Sequence, residues 1–380
     1  MEGIHCLRRM TLQDAPRGGR MVRETPGETA KAGSTDPAAE GAPAKPPTIY
    51  DVARVAGVSH QTVSRLLRGY EGIRPQTKTR VMDALQELGY RPNLAARSLT
   101  TGRSQRIGAL THEIDQVGPS KIAQGASVAA RQAGYLLDIV TLDMSNADAI
   151  NDALELIMQH DLAGVLALAS TDEMTQAFEA ADFRVPAYIA AEEDDAFSNR
   201  RSELTSVGLP ALIAHLAGLG HRTLLHIAGS TTYSAARNRR RAYEAAVADL
   251  SLHSQGVVYG DWSARSGYEA ITGLRGKLEA TAVVAANDQM ALGAMLALTE
   301  QGYRIPEDIS VAGIDDIPEA GYFSPPLTTL RVNFAAQGRN AVQQLLGQIE
   351  GFTPPSSTGL TSQLITRRST GPAPGTAGHK

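Results

Sequence analysis

Short apolar segments alternate with longer segments of helical pattern over most of the chain, and this alternation limits the possible folds more than any other feature. Eight apolar segments of strand length follow one another from residue 107: IGAL, LLDIV, GVLALA, VPAYIA, TLLHIAG, GVVYG, TAVVAA and ISVAGI. Helical segments such as ASVAARQAG and ALGAMLALTEQG lie between them. Continuous apolar strands separated by helices are typical of parallel sheets that are covered on both faces. The sequence therefore predicts an α/β core, with enough strands for two lobes.

The regions that flank this core differ from it in composition. Residues 1–46 are rich in Gly, Pro, Ala, Thr and Glu and have no apolar periodicity. Such a segment cannot bury enough surface to offset its ordering entropy, so we predict a disordered tail there and a second one over residues 369–380. Between the tails we predict a helical domain over residues 47–92, a hinge helix and linker over residues 93–105, and the core over residues 106–368.

Several classes of protein are disfavoured by what the sequence lacks. Cys6 is the only cysteine, so neither a disulfide framework nor a thiolate metal cluster is expected. No apolar run has the length of a signal peptide core or a membrane-spanning helix, so we predict a cytoplasmic protein with no membrane partner. No phosphate-binding loop, dinucleotide-binding glycine motif or nucleophile–base pattern is recognisable. We therefore predict no enzymatic activity, no metal site and no cofactor.

Two helices joined at a tight corner are predicted near the start of the helical domain. The first spans residues 49–56 and buries an apolar face at helical spacing, formed by Val52, Val55 and Ala56. Gly57 ends this helix, because the residue after a helix end often needs a positive φ. Ser59 is suited to cap the next helix, which spans residues 60–67. A third helix near Pro75 completes a helix-turn-helix unit.

The second helix of this unit exposes polar and cationic side chains, namely His60, Gln61, Ser64, Arg65 and Arg68. Amide, hydroxyl and guanidinium groups of this kind contact base edges and phosphates. Residues 47–104 have nine basic and four acidic residues, a net charge of about +5, whereas the whole chain has a net charge of −4. Local positive charge of this size favours binding to the DNA backbone. A small helical cap with a solvated polar face is the alternative interpretation.

The segment RPNLAARSLTTGRS, residues 91–104, predicts a short helix that begins at Asn93 and continues through Leu99. So short a helix is marginal alone in water. A symmetry-related pair of such helices would be able to wedge an apolar residue into the minor groove of DNA. An ordinary linker is an equally good interpretation of the same residues.

Polar side chains also follow the predicted strands, at the carboxyl ends where ligands bind to parallel sheets. Arg239 follows TLLHIAG, Asn287 follows TAVVAA and Asp315 follows ISVAGI. Trp262, the only tryptophan, follows GVVYG. A guanidinium, an amide and a carboxylate can bind the hydroxyls of a sugar, while an indole ring stacks on its apolar face. Trp262 taken alone would more often be a packing residue, so the prediction rests on all four positions together.

The stretches TIYDVARVAGVSHQTVSRLLRG and RPNLAARSLTTGRS, together with the later stretch from GDWSARSGYEA to PPLTTLRVNF, resemble the LacI/GalR family of bacterial transcription repressors. The resemblance covers residues 48–368. It implies an all-α helix-turn-helix headpiece followed by a two-lobed α/β core with parallel sheets, like that of periplasmic binding proteins. It also implies a homodimeric repressor that binds double-stranded operator DNA and responds allosterically to a small sugar bound between the lobes.

The resemblance also assigns residues to the two sites. It places His60, Gln61 and Arg65 in the major groove and Leu99 in the minor groove. The full set of expected DNA-contacting residues is Thr48, Tyr50, Ser59, His60, Gln61, Thr62, Ser64, Arg65, Asn93 and Leu99. The expected effector-binding residues are His112, Arg239, Trp262, Asn287, Asp315 and Phe334.

Two positions depart from the pattern of the resemblance. Ala191 and Val332 stand where that pattern has an aspartate and a glutamine, and Glu192 or Glu193 could replace the lost carboxylate after a shift of one or two residues. A galactoside-like saccharide is the expected effector class, and the sequence leaves open whether the effector is an inducer or a corepressor. A solute-binding transport receptor would share the core, but it would need an export signal and no headpiece.

Overall fold

The computed structural model describes residues 46–67, 69–91, 104–142, 147–192, 202–355 and 361–375. The chain divides after Pro92 into two units, a headpiece and a core. The tail predicted over residues 1–46 lies outside the described residues except for its last residue. The predicted hinge helix, which includes Asn93 and Leu99, also lies outside the described residues.

Three short helices form the headpiece: α1 (Ile49–Ala56), α2 (His60–Leu67) and α3 (Pro75–Glu87). The bounds predicted for α1 and α2 are confirmed. Gly57 ends α1 with φ of 62°, a left-handed conformation that suits glycine. The Ser59 hydroxyl then accepts a hydrogen bond from the Thr62 backbone N–H at 3.2 Å, which caps α2. Local signals in the sequence therefore account for the corner.

The core of the headpiece consists of small apolar side chains from all three helices, namely Val52, Ala53, Ala56, Val63, Val81 and Ala84. The prediction that Val55 is buried is wrong, because its side chain is 42% exposed. Ala53 takes its place in the core. Successive residues of a helix are 100° apart, so Ala53 and Val55 lie on opposite sides of the Val52–Ala56 face at equal angles from its centre. The packing of the other two helices, rather than the spacing within α1, decides that the side of Ala53 is buried.

The first lobe of the core is a parallel four-stranded sheet with the strand order β2-β1-β3-β4. Its elements are β1 (Arg106–His112), α4 (Val117–Gln132), β2 (Leu136–Leu142), α5 (Ala147–Met158), β3 (Gly164–Ala169), α6 (Asp172–Ala180) and β4 (Ala187–Ala191). Separate apolar clusters cover the two faces of the sheet. The late helix α11 (Phe334–Glu350) also packs here, with Val342 and Leu345 buried beside Leu166.

The second lobe is a six-stranded sheet with the order β10-β9-β8-β7-β5-β6, in which only β10 is antiparallel to its neighbour. Its strands are β5 (Thr223–Ala228), β6 (His253–Tyr259), β7 (Ala282–Ala285), β8 (Ser310–Asp315), β9 (Thr328–Val332) and β10 (Ser362–Ile365). The lobe also contains a π-helical turn (Leu204–Gly208) and the 3₁₀ helix Pro318–Tyr322. Its α-helices are α7 (Leu209–Gly218), α8 (Ser234–Asp249), α9 (Ala264–Thr272) and α10 (Asp288–Glu300).

The eight predicted strands are confirmed as β1 to β8, and the sequence analysis missed β9 and β10. These two strands have the sequences TTLRV and SQLI, which lack a continuous apolar run. β10 forms one edge of the second sheet and β9 lies next to it. Thr328, Thr329 and Leu330 of β9 are fully buried, but two of these three residues are polar. Apolar content was the signal for the other strands, so it could not reveal them.

The prediction of a disordered tail from residue 369 is wrong for residues 369–375, which are held against the second lobe. Ser369 is fully buried, and its hydroxyl donates a hydrogen bond to the Val311 carbonyl oxygen at 2.6 Å. The Ala373 N–H donates to the Leu219 carbonyl oxygen at 2.8 Å. The segment is ordered by hydrogen bonds and close packing of small residues rather than by large apolar side chains.

Candidate functional site

The exposed face of α2 is the candidate nucleic-acid interface of the headpiece. His60, Gln61 and Arg65 are exposed on it, and Thr62 and Ser64 are half-buried beside them. The Arg65 guanidinium lies 5.8 Å from the centre of the Tyr70 ring, which supports it by a cation–π contact. A guanidinium held in this way presents its planar donors to solvent, which suits bidentate binding to a base edge.

The predicted contact residues at the helix starts have structural roles of their own. The Thr48 hydroxyl accepts the Asp51 N–H and donates to the Asp51 carboxylate at 2.7 Å, while that carboxylate accepts the Thr48 N–H at 2.9 Å. This capping box begins α1, and Ser59 caps α2 in a similar way. The Tyr50 ring is 5.1 Å from the His60 ring, so the first turns of α1 and α2 lie side by side.

The core contains a cavity of about 400 Å³, which is the candidate effector site. Its walls come from the carboxyl ends of strands in both lobes and from the N-terminal parts of α4, α8 and α11. Five of the six predicted effector residues line it: Arg239, Trp262, Asn287, Asp315 and Phe334. The volume is within the range of sites for small organic ligands.

Arg239, Trp262 and Asp315 form the polar centre of this cavity. The Arg239 guanidinium lies 5.3 Å from the Trp262 ring centre, 4.0 Å from Asp315 Oδ1, and donates to the Ala286 carbonyl oxygen. Three buried polar atoms here have no hydrogen-bond partner among the described residues: Arg239 Nε, Trp262 Nε1 and Asp315 Oδ1. Burial raises the pKa of Asp315 to about 7, and the Arg239 charge limits this rise.

Asn287 lines the cavity, but its amide group is already used within the protein. Its Nδ2 donates to the Trp262 carbonyl oxygen at 2.8 Å and to Gln289 Oε1 at 3.1 Å, and its Oδ1 accepts the Met290 N–H at 2.8 Å. Trp262 has φ of 73°, which is unusual for a residue other than glycine. Asn287 therefore caps α10 and holds the strained backbone on which the indole is mounted.

The structure places His112 behind the cavity wall rather than in it. Thr111 and Glu113 line the cavity, whereas His112 does not. Adjacent side chains of a strand point to opposite faces, and this alternation carries the imidazole away from the cleft at the end of β1. The ring is fully buried, and neither nitrogen has a hydrogen-bond partner among the described residues. Burial lowers the pKa of His112, against the opposing charges of Glu113 and Asp115.

Two polar contacts and one unpaired polar atom at the cavity were missed by the sequence analysis. The Tyr233 hydroxyl donates to Glu113 Oε2 at 2.9 Å, and this bond joins the two lobes. Asn238 Nδ2 donates to Glu192 Oε1 at 3.1 Å, again between the lobes. Gln116 Oε1 is buried in the cavity wall and has no hydrogen-bond partner in the part of the chain that the structure describes. Glu192, one of the two residues considered as a substitute for the missing aspartate, thus lines the cavity, and Glu193 lies outside the described residues.

A DNA-binding headpiece and a two-lobed ligand-binding core together define a class of transcription regulators, and comparisons with known proteins agree. The family model of bacterial regulatory proteins of the lacI family matches residues 48–93, and the model of the periplasmic binding protein-like domain matches residues 213–370. The lactose operon repressor of Escherichia coli (strain K12) is 33% identical over 328 residues, which cover 86% of this chain and 91% of that protein. The chain belongs to the LacI family of DNA-binding transcriptional repressors.

Other relatives show how widely the fold is shared. The HTH-type transcriptional repressor PurR of Haemophilus influenzae (strain ATCC 51907 / DSM 11121 / KW20 / Rd) is 31% identical, over 85% of this chain and 98% of that protein. The lac repressor dimer bound to operator and an anti-inducer superimposes with a TM-score of 0.72 at 32% identity, covering 86% of this chain and all of that one. A complex of the regulator CelR with cellobiose gives a TM-score of 0.62 at 28% identity, covering 85% and 99%.

Proposed function

We propose that this LacI-family repressor binds operator DNA as a homodimer and is released from it by a small saccharide bound in the core cavity, with a galactoside as the leading effector class. The observation that carries the effector proposal is the set of buried polar atoms on Arg239, Trp262 and Asp315 that have no hydrogen-bond partner among the described residues. An unpaired buried polar group costs about 1–3 kcal/mol. A polyhydroxylated ligand supplies a partner to each group, while the indole offers an apolar surface to a pyranose ring.

The shape of the cavity supports a saccharide larger than one ring. Gln337, Asn340 and Gln344 line it from α11 and are spaced three and four residues apart, so they follow one face of that helix. From Phe334 to Gln344 the helix advances about 15 Å. A second ring placed along this face would bind to carboxamide groups. The lactose and cellobiose named for the relatives are disaccharides of this kind.

DNA binding is assigned to the exposed face of α2, with Arg65 and Gln61 at base edges and the cap residues at phosphates. Dimer formation is supported by an apolar strip on α10, where Leu292 and Leu296 are 41% and 54% exposed one helical turn apart. Exposed apolar pairs of this kind mark interaction surfaces. A dimer presents two headpieces to the two halves of a palindromic site. The regulator acts in the cytoplasm and binds its effector without altering it.

The test is operator release. Genomic fragments that the purified chain enriches would be sequenced, and the preferred site would be labelled for fluorescence anisotropy with lactose, galactose, cellobiose or, as a ligand that is not a sugar, adenine added. We expect a saccharide to weaken operator binding. Arg239→Ala is expected to abolish that response, whereas Arg275→Ala, which removes an exposed arginine outside the cavity, is expected to keep it.

A corepressor mechanism is the second candidate, because the PurR relatives are almost as similar as the lactose operon repressor. In that case a ligand would strengthen operator binding instead of weakening it. A response to adenine alone, with no response to any of the sugars, would refute the saccharide proposal. No preferred DNA site at any salt concentration would refute operator binding itself.

A further inference from the structure

The carboxylate of Glu113 stands at the junction of the two lobes. Glu113 directly follows β1, at the carboxyl end of the first sheet, and lines the cavity. Its Oε2 accepts a hydrogen bond from the hydroxyl of Tyr233, a residue that precedes α8 in the second lobe. Its Oε1 has no hydrogen-bond partner within the described residues. One oxygen of the carboxylate is therefore fixed by the protein, and the other remains able to accept a bond from a ligand.

The surroundings of Glu113 hold it in this position. Its φ of 45° is in the left-handed region, which is unusual for glutamate and directs the side chain out of the strand. The Tyr233 ring packs edge-on to Trp262, with 5.6 Å between ring centres. Burial and the charge of Glu113 raise the pKa of the Tyr233 hydroxyl, which keeps that hydroxyl protonated and a donor. The carboxylate and the indole thus belong to one rigid corner of the cavity.

The charge of the cavity is strongly asymmetric. Among the described residues that line it, four are acidic and one is basic: Glu113, Glu192, Glu203 and Asp315 against Arg239. Because the pKa of Asp315 is raised to about 7, the negative charge at neutral pH comes mainly from the three glutamates. Arg239 already lies 4.0 Å from Asp315 and against the Trp262 ring, so its charge is partly balanced within the protein. The negative charges of the cavity repel an anionic ligand. Because the cavity is partly desolvated, this repulsion is larger than it would be between the same charges in water.

We infer that Glu113 is a specificity-determining residue that accepts a hydroxyl of the effector, and that the cavity selects an uncharged saccharide over an anionic one such as a sugar phosphate. The hydroxyl component of this inference, that Glu113 accepts a saccharide hydroxyl, rests on the proposed function. The charge component, that the acidic wall excludes anions, does not. Tyr233 is the positioning residue that aims the carboxylate. Repulsion by the acidic wall provides discrimination against ligands of similar shape.

The charge component is tested without any effector, because Trp262 is the only tryptophan and lies in the cavity. Its fluorescence would be quenched with Cs⁺, iodide and acrylamide at constant ionic strength, with N-acetyltryptophanamide as the reference. We expect the ratio of Cs⁺ to iodide quenching to exceed the reference ratio at least about twofold. Glu113→Gln should lower the ratio, while Glu179→Gln, which removes the same charge from an exposed site on α6, should not. A ratio of Cs⁺ to iodide quenching equal to or below the reference ratio overturns the charge assignment.

The hydroxyl component is tested by titrating lactose, galactose and galactose 6-phosphate into the full chain and following Trp262 emission. Glu113→Gln is expected to weaken binding of the neutral sugars about tenfold or more, since a hydrogen bond to a charged acceptor is lost. Tyr233→Phe keeps the ring and should weaken binding less. Tighter binding of the phosphate than of galactose, or neutral-sugar affinity unchanged in Glu113→Gln, overturns the inference. If no saccharide releases operator DNA, the proposed function fails while the quenching result still stands.

Discussion

Gly229, the residue after β5, lies under the indole of Trp262, and replacing it tests whether that indole organises the cavity. A Cβ atom added at Gly229 would be 2.3 Å from Trp262 Cζ2 and 2.4 Å from Cη2. Ordinary carbon contacts begin at about 3.5 Å, so in Gly229→Ala the ring must move by about 1 Å. Overpacking of this kind typically costs about 1–3 kcal/mol. The displaced indole would also leave the Arg239 guanidinium that now lies against it.

The assay for Gly229→Ala combines urea unfolding with the emission spectrum of Trp262, the only tryptophan. We expect a free energy of unfolding lower by about 2 kcal/mol, a shifted emission maximum and a loss of saccharide binding. Gly218→Ala is the matched control, because no atom lies within 4 Å of the Cβ added at that helical position. That control should be neutral or stabilising by about 0.5–1 kcal/mol. Unchanged stability and emission in Gly229→Ala would show that the packing of the indole has been misjudged.

Three further predictions concern single side chains. The pKa of Asp315 is about 7 in the folded chain, whereas its ordinary value is 3.8. The stabilisation from its bound proton is therefore fully present below pH 4 and is lost as the pH rises through 7. In urea unfolding from pH 4 to 7.5, the free energy of unfolding should decline by up to about 4 kcal/mol, and Asp315→Asn should remove this decline. Val63→Ala, at a fully buried position, should cost about 2 kcal/mol in headpiece stability measured by circular dichroism, whereas Val55→Ala should cost less because 42% of the Val55 side chain is already exposed to solvent. Arg65→Lys keeps the charge but not the planar fork, so in competition anisotropy it should lower the preference for operator over random DNA about tenfold and leave the salt dependence unchanged.

The headpiece was predictable from the sequence because its determinants are local. The glycine at the corner and the cap of α2 lie within three residues of the helix ends they specify. By contrast, β9, β10 and residues 369–375 are held by contacts between distant parts of the chain. Ser369, for example, donates to Val311, a residue 58 positions away. Such contacts leave no periodic signal, so composition alone assigned the last segment to a disordered tail.

The candidate effector site was predictable to the extent that it depends on strand ends. Arg239, Trp262 and Asp315 line one cavity because they follow parallel strands whose carboxyl ends meet at the same edge. The prediction for His112 was wrong by one residue: Thr111 and Glu113 line the cavity, whereas the side chain of His112 points to the opposite face of the sheet. The bond between Glu113 and Tyr233 joins residues 120 positions apart, and only the packing of the two lobes brings them together.

The sign of the effector response depends on which arrangement of the two lobes binds DNA, and contacts between the lobes outside the cavity stabilise the arrangement seen here. Arg237 of α8 donates two hydrogen bonds to the Asp172 carboxylate of α6, each at 2.9 Å, and a third to the Thr231 carbonyl oxygen. The Asp172 N–H donates to the Thr232 carbonyl oxygen at 3.2 Å. These contacts stabilise the present arrangement of the lobes, which a saccharide bonded to both lobes would also favour. An effector can shift an equilibrium only through its differential affinity for the two states.

Arg237→Ala therefore distinguishes an inducer from a corepressor. The partly exposed ion pair is worth at most about 1 kcal/mol, a factor of about five in the equilibrium between lobe arrangements. If a saccharide is an inducer, the arrangement it favours is the one released from DNA. Arg237→Ala should then bind operator at least as tightly as the unaltered chain and require up to about five times more sugar for release. Arg304→Ala, which removes a comparable pair with Asp308 within the second lobe, is the control and should change neither quantity. Weaker operator binding by Arg237→Ala without sugar would instead assign this arrangement to the DNA-bound state, and the effector would be a corepressor.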